Sequence, residues 1–287
     1  MNPRPPPCEG PNGIDWDLFK EWLFKEFSPK TAQDRLRYSR KFSDCLLKKD
    51  FSELRLLSDD KRVHVLKALS ALSKFLGVYD EFKGLVRNYG LKWTGRNGDD
   101  LIIARLTRVV DADEILEWIR SVKAACPDYA GFMDLIAATG LRYEEAVNCW
   151  NLIIGLSGKS RLEEYYRAEA EVLEHFRFKD LFIRRSKKAF ISFAAEDFIE
   201  KITRSKPLSA YVLPNRIKRR GLRQRFSDIR EFHASVLTRY LRQPEIDFIH
   251  GRVSTSVFMR NYFNPAWIQD LKERALKAAG EILEKIA

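Results

Sequence analysis

Long apolar runs are missing from this chain. Nothing in it approaches the roughly 20 consecutive apolar residues that a helix needs to cross a bilayer, which argues against a membrane protein. The opening MNPRPPPCEGPNG has no apolar core of the kind a signal peptide carries, and reads as a flexible tail over residues 1–13. A soluble, cytoplasmic protein is the expectation. Cysteine is scarce and badly placed for chemistry. Cys8, Cys45, Cys126 and Cys149 form no CxxC pair and have no histidine at zinc-ligand spacing. Buried free thiols follow, and neither a metal nor a cofactor is expected. Acids are thin in one stretch: between Arg204 and Arg260 there are thirteen Lys or Arg against four acids. Most of the net charge of +11 therefore sits there, including the run NRIKRRGLRQR at 215–225. A basic segment of this density fits a polyanionic partner, because each Lys or Arg that meets a phosphate releases a condensed counterion. No repeat and no low-complexity tract is present.

The 287 residues, 45% of them hydrophobic, suffice for two modest cores. From Ile14 to about Trp93 the sequence reads as helices. Phe19, Trp22, Leu23 and Phe27 recur at three- and four-residue steps, making one apolar face. Ser28-Pro29 offers a cap and a first helical residue for a second helix. That helix carries Lys30, Arg35, Arg37, Arg40 and Lys41, either a DNA-facing row or an ordinary solvated face. A third helix near 61–76 ends at Gly77. The stretch TGRNGDD, 94–100, has no apolar period and reads as a linker. Helical patterns return at 111–123 and 128–139. HFRFKDLFIRR and KKAFISF then read as two strands of a hairpin, before helices run to the end. The fold class expected is mainly α with a small β-sheet: a helical domain over 14–93, a linker, and a second domain over 101–287.

Four local features follow one another in the second half. They are ATGLRYEEA, with Arg142 after a Gly-Leu turn; the lysine-rich tip RRSKKAF; SDIREFHASVL, with Arg230 near the start of an apolar-periodic helix; and IHGRVSTSVFMRNYF, in which Arg252 precedes Tyr262 by ten residues. Each is weak alone. In this order they resemble the catalytic domain of tyrosine recombinases, the family of phage integrases and Xer recombinases. Thr139, Gly140, Leu141, Arg142 and Glu145 match the first box of that family. Arg230 matches the second, with Ser227 where a histidine is usual. Gly251 and Tyr262 match the third, with Arg252 at a His/Trp position. These two departures are most similar to archaeal fusellovirus-type and related plasmid integrases. The resemblance covers roughly 99–287, and the N-terminal helices suit the family's core-binding domain.

The resemblance implies a site-specific recombinase. It would cleave and rejoin double-stranded DNA at an attachment site through a 3′-phosphotyrosine, integrating or excising a viral or plasmid element. Tyr262 is then the nucleophile. Arg142 and Arg230 hold the phosphoryl oxygens with planar, permanently charged forks, and Arg252 is a third donor. Lys187 or Lys188 on the hairpin is the general acid for the departing 5′-oxygen. Ser227 is a candidate contact and Glu145 positions the first arginine; His233 falls where the family usually has a core aromatic, and neither it nor His250 is expected to replace the missing histidine. Self-assembly to a dimer or tetramer on DNA is implied, with no membrane partner. Two rivals remain open: a type IB topoisomerase, and a DNA-binding relative that has lost catalysis. Finally, Ile268, Leu271, Ala275, Ala279, Ile282 and Ile286 form an apolar stripe on a helix expected to start at Asn264-Pro265. The stripe belongs either in its own core or in a groove on a neighbouring subunit. Deletion of 277–287 is expected to leave a folded protein that assembles poorly.

Overall fold

Apolar spacing of three and four residues builds helices along most of this chain. The computed structural model describes residues 13–92, 103, 107, 111–184, 187–223, 225–252 and 257–287, the side chain of Arg260 excepted. Two compact units divide the chain, 1–108 and 109–287. The tail as far as residue 12 and the expected linker over 94–100 lie outside the described residues.

The first unit holds α1 (Trp16–Glu26), α2 (Pro29–Leu47), α3 (Ser52–Arg55), α4 (Asp59–Phe75) and α5 (Tyr79–Asn88). Asp15 opens α1, its carboxylate accepting from the amides of Asp17 and Leu18. Ser28 does not cap α2 through its side chain; its hydroxyl donates instead to Thr31 Oγ1 at 3.0 Å. Helix α2 lies chiefly along α4, around a core of Phe19, Phe42, Phe51 and Phe82. Of the basic row on α2, Arg35 and Arg40 rest on the rings of Phe27 and Trp16, and Arg37 pairs with Asp34.

The second unit is mainly α with one small sheet. It comprises α6 (Ala112–Ala125), α7 (Ala130–Thr139), α8 (Tyr143–Ser157), α9 (Lys179–Phe182), α10 (Glu196–Thr203), α11 (Val212–Arg219), α12 (Phe226–Leu237), α13 (Gln243–Ile249), α14 (Val257–Asn261) and α15 (Leu271–Ile286). Strands β1 (Tyr166–Arg167), β2 (Val172–Leu173) and β3 (Ser192–Phe193) form an antiparallel sheet in the order β1-β2-β3. Tyr166 faces Leu173, and Leu173 also faces Ser192.

The expected hairpin is only partly present. Residues 175–182 are a 3-10 turn followed by α9, because Phe178, Leu181 and Phe182 stand at helical spacing. Burying the Phe182 ring against Tyr165 and His175 favours that arrangement over a strand. What remains of the hairpin is an isolated antiparallel bridge between Ile183 and Lys188. The last helix also begins later than expected. The Asn264 side chain accepts from Ala266 N, but it caps a single 3-10 turn, and α15 starts at Leu271. Its stripe is buried in its own unit, against α7, α6 and α12. Of the two places expected for the stripe, its own core is the one seen in this structure.

Candidate active site

The site forms where three helix ends and the Ile183–Lys188 bridge meet. Helix α7 ends at Gly140, whose left-handed φ of 59° turns the chain at once into Leu141 and Arg142. A β-carbon on Gly140 would lie 2.4 Å from His233 Nδ1, so only glycine fits. Arg142 is the residue before α8. Its amide donates to the carboxylate of Glu145, and its Nη1 donates to both oxygens of the same carboxylate at 2.9 and 3.2 Å. Glu145 is fully buried, as an acid can be only when so paired. Arg142 Nη1 also donates to the carbonyl of Lys188 at 3.3 Å.

Arg230 reaches in from α12. Nη1 donates to the Gly140 carbonyl at 2.6 Å and Nη2 to the carbonyl of His250. Burial brings its pKa down to about 10. The positive charge of Arg142 pushes the same way, the Glu145 carboxylate opposes, and Arg252 adds to the depression. The guanidiniums of Arg142 and Arg252 therefore stand close enough to act on that of Arg230. Arg252 follows Gly251, whose φ is 62°; a β-carbon there would meet the Lys188 carbonyl at 1.8 Å. The backbone of Lys188 is thus wedged between Arg142 and the Gly251–Arg252 turn. Arg252 itself is about half exposed, with Asp247 at 3.8 Å.

Residues 107–274 match the family model of archaeal phage integrases. The chain belongs to the archaeal phage integrase family. No curated protein matches the chain. Within this integrase-family fold, the sequence-derived candidates divide into two groups. Arg142, Arg230, Arg252 and the backbone of Lys188 come together. The side chain of Lys187 is exposed, while its carbonyl accepts from the amide of Arg184. Ser227 is exposed, and its hydroxyl donates to Asp228 Oδ1 at 3.3 Å rather than to the cluster. Tyr262 lies just beyond α14, 72% exposed, and its hydroxyl has no partner among the described residues. Residues 253–256, between Arg252 and α14, lie outside the described residues.

Two features escape a reading of the sequence. Arg184 donates to Glu144 Oε2 at 2.8 Å and to Glu145 Oε1 at 3.2 Å, tying the bridge segment to the start of α8. In the sequence it is one more charge in RRSKKAF. His233 and His250 are both buried, and they pack directly behind Arg230. Among the described residues no helix is long and apolar enough to cross a membrane. No group of three or more His, Cys, Asp or Glu among them could hold a metal ion. Cys45, Cys126 and Cys149 are buried free thiols; Cys8 lies outside the described residues.

Proposed function

We propose that this integrase-family chain is a site-specific recombinase of the tyrosine type, similar in its motifs to fusellovirus-type and related plasmid integrases. It acts on double-stranded DNA and assembles as a dimer or tetramer at an attachment site. One observation carries the reading: Arg142 and the Gly251–Arg252 turn meet at the Lys188 carbonyl while Arg230 grips the Gly140 and His250 carbonyls beside them, so three arginines gather where a phosphodiester would offset their charge. In the step proposed, the Tyr262 oxygen bonds to phosphorus as the bond from phosphorus to the 5′-oxygen breaks. The phenolic proton leaves to solvent or a base, and Lys187 or Lys188 supplies a proton to the departing oxygen. Charge developing on the phosphoryl oxygens meets the guanidinium forks. The phosphotyrosine ester keeps the bond energy, so rejoining needs no nucleotide and no metal. Rotation of one strand before rejoining would make the same chemistry a type IB topoisomerase.

A library of nicked duplexes with randomised sequence tests this, the nick letting the short fragment that carries the new 5′-hydroxyl diffuse away. Wild-type protein is expected to give a denaturation-resistant DNA adduct, which Tyr262→Phe abolishes while still binding DNA. An adduct from Tyr262→Phe would refute the nucleophile. Ser227, bonded away from the arginines, favours the non-catalytic relative as the second reading. A wild-type chain that binds DNA and never forms an adduct would select it.

A further inference from the structure

Arg230 can serve a phosphate only if its two fixed hydrogen bonds aim it, and both lead to one buried object. The carbonyls it grips belong to Gly140 and His250. Gly140 lies against the His233 ring. His250 is bonded to the same ring, Nε2 to Nδ1 at 2.9 Å. His233 sits one helical turn beyond Arg230 on α12, so both side chains leave the same face.

The tautomers follow from the partners. Ala138 O, 3.1 Å from His233 Nε2, can only accept, so Nε2 carries the proton and Nδ1 is an acceptor. His250 Nε2–H must then donate to it, which leaves His250 Nδ1 bare. That atom is buried and without a partner among the described residues. Both rings are at most 2% exposed. Burial holds His233 down to about 4, and holds His250 lower still with help from His233, Arg230, Arg252 and Arg142. The charged groups that act on the pair are thus all cations, and both rings stay neutral at working pH.

We propose that the His233–His250 pair is the positioning element for Arg230. It joins the end of α7, the face of α12 and the end of α13 through one N–H···N bond. The pair does not touch DNA and transfers no proton. The inference rests on the strand-cleaving role of Arg230 proposed above.

The test is a double-mutant cycle on the single-turnover rate of adduct formation, with DNA affinity and melting temperature measured alongside. His250→Leu removes the donor; His250→Gln keeps one. The Leu variant is expected to lose about tenfold in rate with DNA affinity changed less than about twofold, and Gln to recover most of it. In an Arg230→Ala background the Leu substitution should cost nothing further. A wild-type rate in His250→Leu, or a full loss on top of Arg230→Ala, would overturn the proposal. So would a Gln variant as slow as the Leu variant. Adducts undiminished by Arg230→Ala alone would instead sink the strand-cleaving role.

Should the Leu variant not fold, nitrogen NMR of the wild-type protein decides. Two neutral rings with a scalar coupling across the N–H···N bond are expected at pH 7. A protonated ring or an absent coupling overturns the pair.

Discussion

Ile282 gives the sharpest test of where the C-terminal helix belongs. Its side chain is fully buried in the core of the second unit, together with Ala278 and Ile286. Truncating a buried isoleucine to alanine costs about 2–5 kcal/mol, the transfer loss plus the cavity left behind. For a unit of this size each kcal/mol shifts the melting temperature by about 2–4 °C, so Ile282→Ala should melt on the order of 10 °C lower. Deleting 277–287 removes far more. It takes Ile282 and Ile286, the Lys285 carbonyl that accepts twice from Arg120, and the Ile286 carbonyl that accepts from Lys123. Glu281, held by Arg239 at 2.6 Å and Tyr240 at 2.8 Å, goes with them. Those losses together rival the roughly 5–15 kcal/mol that holds a domain folded. The deleted chain should therefore show no cooperative urea transition for this unit. A deletion variant that melts like the full chain yet fails to assemble would refute the reasoning and restore the exchange of helices between subunits.

Gly251→Ala should keep DNA binding and lose adduct formation by more than about tenfold, because a β-carbon cannot share space with the Lys188 carbonyl; an unimpaired variant would mean the turn and the bridge move independently. Stability should fall on mild acidification. Burial holds His175 at about 3, while an unfolded histidine takes its proton near 6.5. The unfolded state thus binds more protons between those values, so the contribution is whole above about 6.5, erodes by about 1.4 kcal/mol per pH unit, and is spent below about 3. Urea midpoints at stepped pH check this, and equal stability at pH 7 and pH 5 would contradict neutral burial.

Much of the second unit was legible because local chemistry dictates it. Asp111 before an apolar-periodic run gave α6, and Gly140 after another gave the end of α7. The C-terminal stripe was legible too, but not what covers it, since periodicity says that a face is buried and nothing about against what. HFRFKDLFIRR misled because Phe176 and Phe178 alternate while Phe178, Leu181 and Phe182 repeat helically. The packing of Phe182 on Tyr165, a residue outside that segment, decides between them. The arginines were found by motif, yet their convergence depends on two glycines admitting carbonyls and rings. Arg184 gave no signal, because a charge at a turn looks alike whether it meets water or a buried carboxylate.

The contact between Gly140 and the His233 ring also constrains descent. A β-carbon at 140 can arise only after 233 has become smaller. A smaller residue at 233 gives up the bond to His250, which then keeps its place only by changing as well. The fit thus couples three positions in three separate motifs, so that a substitution at any one of them is felt at the other two.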